Sequence, residues 1–341
     1  MNMRTRMIAL VAVCMLALGG AAAYLVVSRA SHNDAVQNAP TVAQTSVDSV
    51  QNEPHIVFRN TALGSQYGMV AMVSLSDPSG PRAITKTSCD RVYSTSAEMI
   101  CLSSQNSVVA TTYAAEILNA HTMAKQQSVP FTGIPSRARL STDGKLAATT
   151  AFVAGDSYQM QGFSTRTNIT QVGGTKTSVG LEDFTIINGG EPISPPTDRN
   201  FWGVTFAQDD NTFYATVLWG GKTRLVRGDL KARTVTTLHE DAECPSLSPD
   251  GTKIVFKQRA GAPVGQWRLA EYDLKTGETH QLQGDRSVDD QVEWLDNDHV
   301  IYGLARSGSG AAVDDIWSVA VDGKSQPKLL IPQAWSPAVV R

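Results

Sequence analysis

The residues of this 341-residue chain that could do chemistry are six histidines, four cysteines, three Asp-Asp pairs and a scatter of serines near glycine. A serine peptidase of the α/β-hydrolase kind needs its nucleophile in a G-x-S-x-G elbow. No serine here has glycine at both −2 and +2, and Gly64-Ser65-Gln66-Tyr67-Gly68 misses the pattern by placing serine directly after the first glycine. The histidines stand at 32, 55, 121, 239, 280 and 299, so none forms the i, i+4 pair that a zinc-binding helix requires. His239-Glu240-Asp241-Ala242-Glu243 starts like such a motif but ends in glutamate, and it reads as an exposed acidic loop. Asp209-Asp210, Asp289-Asp290 and Asp314-Asp315 could offer oxygen to Ca²⁺, but that ion takes about 6–8 ligands, and two adjacent carboxylates fit a solvated hairpin turn better. Gly221-Lys222-Thr223 and Gly323-Lys324-Ser325 match the end of a phosphate-binding loop, with Thr216 and Ser318 where its first glycine belongs. The expectation is a chain without catalytic, cofactor-binding or metal-binding residues.

The elements that would position any site are more legible. Pro245-Ser246-Leu247-Ser248-Pro249-Asp250-Gly251-Thr252-Lys253-Ile254-Val255-Phe256 reads as a strand, a tight turn and a second strand. Aspartate bonds its own backbone in such turns and glycine accepts positive φ, which gives Asp250 and Gly251 structural roles. Two more strands follow, at 267–274 and 279–282. The same grammar recurs at Arg139-Leu140-Ser141-Thr142-Asp143-Gly144-Lys145, where Asp143 and Gly144 form the turn, and at 206–216, 294–302 and, degenerately, 93–102. The aligned apolar residues 93, 140, 206, 247 and 295 are 47, 66, 41 and 48 residues apart. The long step needs an insertion, for which the Pro- and Gly-rich 189–200 is the candidate loop.

The ends suggest a sixth unit. Ile56-Val57-Phe58 looks like a second strand whose first is missing, and Trp335–Val340 looks like a first strand with nothing after it. Joining them would close a ring of six four-stranded blades, the all-β architecture of a six-bladed β-propeller over 55–341. A pair of β-sandwiches is the alternative, without reason for one period throughout. Trp202, Trp219 and Trp267 are expected to pack between blades rather than line a ligand mouth.

Ahead of the repeats lie two other segments. Residues 1–6 are a basic start, and 7–27 are uncharged and apolar, spanning roughly 31 Å as a helix, the thickness of a bilayer core. The basic flank puts the N-terminus in the cytoplasm and the repeats outside. An uncleaved signal-anchor fits this run; Ala21-Ala22-Ala23 leaves a cleaved signal peptide and a secreted product as the alternative. Residues 28–54 lack aromatics and read as a flexible linker. Charge follows the same division, with +2 on 1–27, −2 on 28–54 and −3 on 55–341. An acidic ectodomain argues against nucleic acid as a partner.

Cys14 falls in the apolar run, leaving Cys89, Cys101 and Cys244. A hairpin over 93–102, with its pairing centred near residue 95, places Cys89 opposite Cys101 within disulfide reach, and an oxidising exterior allows the bond. Two buried reduced thiols are the other outcome. Cys244 is expected free and buried on an inner strand.

The units at 247–256 and 140–144 resemble the repeats of TolB-type β-propellers. The whole of 55–341 also resembles actinobacterial membrane-anchored or exported TolB-like proteins, through 162–167, Phe201-Trp202-Gly203-Val204-Thr205-Phe206, Val288–Trp294 and Ser336–Arg341. The resemblance implies a six-bladed propeller with a cell-envelope role through protein contacts, and no catalytic residues. The expected function is a non-enzymatic, membrane-tethered interaction or scaffold module binding a protein or an envelope polymer. A propeller enzyme or binder of glycans or small ligands, using the central channel, is the alternative. The loops at 189–200 and 306–315 are where an interaction surface could vary without disturbing the core.

Overall fold

A computed structural model describes residues 3–37, 41–107, 110–153, 164–174, 178–263, 265–306 and 313–341. One α-helix, α1 (Met3–Gln37), precedes six sheets in a ring, antiparallel but for one added parallel strand in each of two. The core of the 306–315 loop, at 307–312, lies outside the described residues, as do 1–2 of the N-terminal region and 38–40 of the expected linker.

The ring closes as the orphan ends suggest. Blade 1 takes its innermost strand from the C-terminus, Ala334–Val340, which pairs antiparallel with His55–Asn60, followed by Met69–Ser74 and Arg82–Ser88. Blades 2 and 3 begin at Arg91–Ser94 and Ile134–Leu140, blades 4 and 5 at Asn200–Phe206 and Glu243–Leu247, and blade 6 at Glu293–Trp294. The apolar faces of neighbouring sheets meet between blades; Ile56 and Phe58 of blade 1, for example, pack with Ile301 and Ile316 of blade 6. A buried arginine locks the closure: Arg82 donates to Asn60 Oδ1 (2.7 Å) and to the carbonyls of Gln333 (3.0 Å) and Pro332 (2.7 Å).

The repeat turns work as their residues require. Ser141 Oγ donates to Asp143 Oδ1 (2.8 Å), which also accepts the Lys145 amide (3.1 Å), and Gly144 takes φ +76°. Ser248, Asp250 and Thr252 repeat the arrangement with Gly251 at φ +72°. The Ser248 hydroxyl, ahead of the turn amides, holds the Asp250 carboxyl below its ordinary value.

Three expectations need correction. Residues 28–54 do not form a flexible linker throughout: α1 continues to Gln37, and Gln44–Thr45 adds a parallel strand to the outer edge of blade 1. Composition misled because so few side chains are needed: Val50 is buried, with Val47 beside it, in the cluster that contains Cys89 and Cys101. The insertion before blade 4 is also larger and more ordered than a loop at 189–200. A 3-10 turn at Leu181–Asp183 leads into Thr185–Asn188, which pairs parallel with the outer strand Thr234–Glu240 and antiparallel with Glu191–Pro192. Third, His239-Glu240 is not loop but the end of that outer strand; the His239 ring lies 5.6 Å from the Phe256 ring and 5.5 Å from that of Tyr272.

Cys89 and Cys101 form a disulfide with Cα atoms 5.4 Å apart. The expected register is not the reason. Ser94 pairs with Met99, so Cys101 stands opposite Val92. Cys89 lies just before the strand, in the blade 1 to blade 2 connection, where its amide donates to Gly68 O (3.1 Å) and Asp90 N to Leu102 O (2.7 Å). Cys244 is free and buried, and Cys14 is free and exposed on α1. The chain-entropy model gives a bridge across about a dozen residues roughly 3 kcal/mol. Replacing both cysteines by serine is therefore expected to lower thermal stability by that order in calorimetry, and reduction of the wild type should reproduce the loss.

Candidate functional site

The six innermost strands converge on a central channel, and irregular backbone fills its waist. In three of them a pair of residues opposes one on the next strand: Gly203-Val204, Cys244-Pro245 and Ser336-Pro337. The first residue of each pair is left-handed, with φ of +66°, +50° and +56°, the signature of a bulge that bends the strand and re-aims its side chains. Neighbouring blades satisfy the backbone groups this frees. Thr216 Oγ1 accepts from Cys244 N (2.8 Å), Thr205 Oγ1 accepts from Leu247 N (3.2 Å), and Ser336 Oγ donates to Val92 O (3.0 Å). Gln291 spans the axis, donating to Val204 O (3.0 Å) and Pro245 O (2.9 Å).

One end of the channel is closed by the connector from blade 5 to blade 6. Asp289 and Asp290 sit on this connector, not in a solvated hairpin turn. Asp290 pairs with Arg91 (3.1 Å) and accepts Gly303 N (3.0 Å); Asp289 pairs with Lys257 (2.7 Å) and Arg137 (3.3 Å). The Lys257 ammonium is buried 4.3 Å from the centre of the Trp267 ring, whose Nε1 donates to Glu243 (2.9 Å). Trp267 therefore belongs to the channel end rather than to the packing between blades. Trp202 is buried, and Trp219 carries the Arg224 guanidinium 3.5 Å from its ring centre. Asp314-Asp315 is no turn either: it begins a strand, where Asp315 holds Arg306 through two bonds (2.7 and 2.6 Å). Asp209-Asp210 does form a hairpin turn, with Asp209 accepting the Thr212 amide (2.7 Å). Next to this end a small cavity of about 20 Å³ lies beside Arg91, Arg137, Arg139 and Asp290.

The other end is open. A mouth of about 510 Å³ is ringed by the turns between first and second strands, within the size range of small-molecule and peptide pockets (about 300–1,000 Å³). Its rim carries Ser96, Thr142, Gln208, Asp250, Gly251 and Arg341; its walls include Leu140, Phe206 and Leu247. The floor is ionic. Arg139 and Glu293, each 6% exposed, form a short ion pair, and Arg139 also donates to Ser246 Oγ (3.2 Å) and Val292 O (2.9 Å). Tyr93 lies under the guanidinium, 4.6 Å from its ring centre, and donates its hydroxyl to Glu293 (3.3 Å). Burial, followed by the Glu293 charge, pushes the Tyr93 phenol up to about 12. The tightly paired floor and the polar rim make this a blind socket suited to holding a ligand.

Of the residues singled out in the sequence, Asp250 and Gly251 reach the rim through their turn, whereas Asp143 and Gly144 stay in their own turn and only the adjacent Thr142 lines the mouth. Cys89 and Cys101 lie away from it, at the seam between blades 1 and 2. No local motif assigns a site role to the channel residues Arg91, Tyr93, Arg137, Arg139 and Glu293. Their signal is the spacing of two, Arg-x-Tyr at 91–93 and Arg-x-Arg at 137–139, on the first strands of successive repeats. Alternate residues on a strand share a face, and on an innermost strand that face is the channel.

Neither any family model nor any curated protein matches the sequence. Among solved structures, TolB from Acinetobacter baumannii superposes with a TM-score of 0.60 at 18% identity, over 84% of this chain and 66% of that one. The fold is a TolB-like six-bladed propeller. The chain thus spans just under two thirds of the length of that TolB. A chain of the nidogen/laminin complex superposes with a TM-score of 0.56 at 10% identity, over 84% of this chain and 98% of that one. Putative TolB from Agrobacterium tumefaciens gives 0.49 at 13% identity, over 83% and 91%. Ahead of the TolB-like ring, α1 contains a stretch, Ala12–Ala30, long and apolar enough to cross a membrane, as anchors and signal sequences both are.

Proposed function

We infer that this chain is a non-enzymatic interaction module whose propeller receives a segment of a protein partner in the open mouth of its channel. The carrying observation is the asymmetry of the channel: an ion-paired end with a cavity of about 20 Å³, and a polar mouth of about 510 Å³ at the other. The titratable groups that meet on its floor, Arg139, Glu293 and Tyr93, bond one another, which suits a scaffold better than a nucleophile and base awaiting substrate. The apolar surface of α1 and the Cys89–Cys101 disulfide support a propeller held outside the membrane by an uncleaved anchor. The likeness to TolB and to a chain of the nidogen/laminin complex gives the fold alone. A small polar ligand or glycan in the same mouth is the competing occupant.

Site-specific photocrosslinking in intact cells tests this. A photoreactive residue at Thr142 or Gln208 is expected to capture a discrete protein, and one at Gln266, near the closed end, to capture none. Absence of a protein adduct at both rim positions, or the same adduct from Gln266, would overturn it.

A further inference from the structure

We propose that a pocket between blades 5 and 6, separate from the mouth, binds a small aromatic carboxylate. The pocket holds about 160 Å³. It lies between the third strand of blade 5 (Arg268–Asp273) and the second and third strands of blade 6 (His299–Ala305 and Asp314–Ala320), against the connector at 283–288. Its walls are apolar, formed by Leu269, Val288, Leu304 and Pro327. A cavity of about 150 Å³ accommodates benzene, so this space admits one six-membered ring.

The polar groups around that space are donors without acceptors. Tyr302 is 2% exposed, yet its hydroxyl makes no hydrogen bond among the described residues. Trp317 Nε1 is shielded from solvent and also lacks an acceptor. A buried donor left unmade costs about 1–3 kcal/mol and calls for an explanation. Two guanidiniums complete the set. Arg268 forms neither a hydrogen bond nor an ion pair among the described residues. Arg286 lies 5.5 Å from the Trp317 ring centre and donates only to the Ala305 carbonyl.

The acceptors on the lining do not answer these donors. Gln283 is bonded to Gln326 (3.2 Å) and to Gly323 O (2.8 Å). Asp285 is the single carboxylate; it is exposed on the connector and pairs with neither guanidinium, so two cations face one acid. Deeper in, the balance is more one-sided. Burial pushes the Tyr302 phenol up, and Arg286 is the charge that pulls it back, with no carboxylate acting on it. A ring-sized apolar body with a carboxylate answers all of this at once: the ring fills the apolar space, and the carboxylate accepts from guanidinium, phenol and indole. An ammonium would meet two cations, and a carboxylate without a ring would leave the apolar walls uncovered.

The test uses the full chain in detergent micelles, isotope-labelled on tryptophan, with benzoate as the probe. Benzoate is expected to shift the indole N–H resonance that disappears in Trp317→Phe. By calorimetry, Arg268→Gln and Arg286→Gln should each bind it about ten-fold more weakly, the scale of one charge-assisted hydrogen bond, and Trp317→Phe a few-fold more weakly. Arg268→Gln removes no bond among the described residues, and unchanged melting separates its effect from folding. An unmoved Trp317 resonance, affinity indifferent to both arginine variants, or equal binding of benzylammonium or acetate would overturn the proposal. So would a shift confined to Trp294, which lines the mouth; that result would leave the mouth as a ligand site and remove this one.

Discussion

Gly203→Ala is expected to lower the melting temperature by roughly 5 °C, corresponding to about 3 kcal/mol for a domain of this size. Two effects add. The residue has φ +66°, which costs alanine of the order of 1 kcal/mol. Its new Cβ would also stand 2.6 Å from the Cα of Cys244. Because that atom is backbone of the neighbouring innermost strand, and is itself in a left-handed bulge, no side-chain rotation relieves the contact. Gly251→Ala supplies the comparison: φ is +72°, but nothing lies within 4 Å of the added Cβ. It should lose only the conformational part, near 1 kcal/mol. Equal losses at the two positions, measured by calorimetry on matched variants, would show that the channel waist is not tightly packed.

The contrast between those glycines marks what the sequence could and could not reveal. Gly251 is legible because it follows proline and aspartate between two apolar strands, so a local rule covers it. Gly203 interrupts an apolar strand, Asn200–Phe206, and its reason is a blade some forty residues away. The same division runs through the rest of the fold. Blade order and closure were readable because they depend on repeated local grammar and on complementary half-units at the ends. The Cys89–Cys101 bond was anticipated through a hairpin register centred three half-steps away from the real one, and it forms instead because Cys89 turns back from the connection between blades. Val47 and Val50 are illegible in the sequence because two valines in a polar stretch carry no period. Asp289 and Asp290 looked like a turn because their partners, Lys257, Arg137 and Arg91, come from three other blades. The site is therefore the least legible part: its residues come one or two to a repeat, and only ring closure brings them together.

Arg139→Met is expected to be the most damaging change in the channel, costing about 3–5 kcal/mol, because it strands the buried Glu293 carboxylate without its counter-cation. Tyr93 and the Val339 amide would still donate to Glu293, yet neither carries charge. Pairing the change with Glu293→Leu should recover most of the loss, since an apolar pair of similar volume removes both desolvation penalties. A double variant as unstable as the single one would show that the guanidinium acts mainly through Ser246 and Val292 O. Tyr93 gives a second readout. Its phenol titrates higher in the folded state than in the unfolded chain, so it adds stability that is present below about pH 10 and is lost as pH rises toward 12. Burial sets most of that shift and the Glu293 charge adds to it. Glu293→Gln should therefore move the spectroscopic titration of Tyr93 downward, but not back to an ordinary tyrosine. The floor of the mouth then has a structural role: its charges are paired with one another and hold the first strands of blades 2, 3 and 6 together.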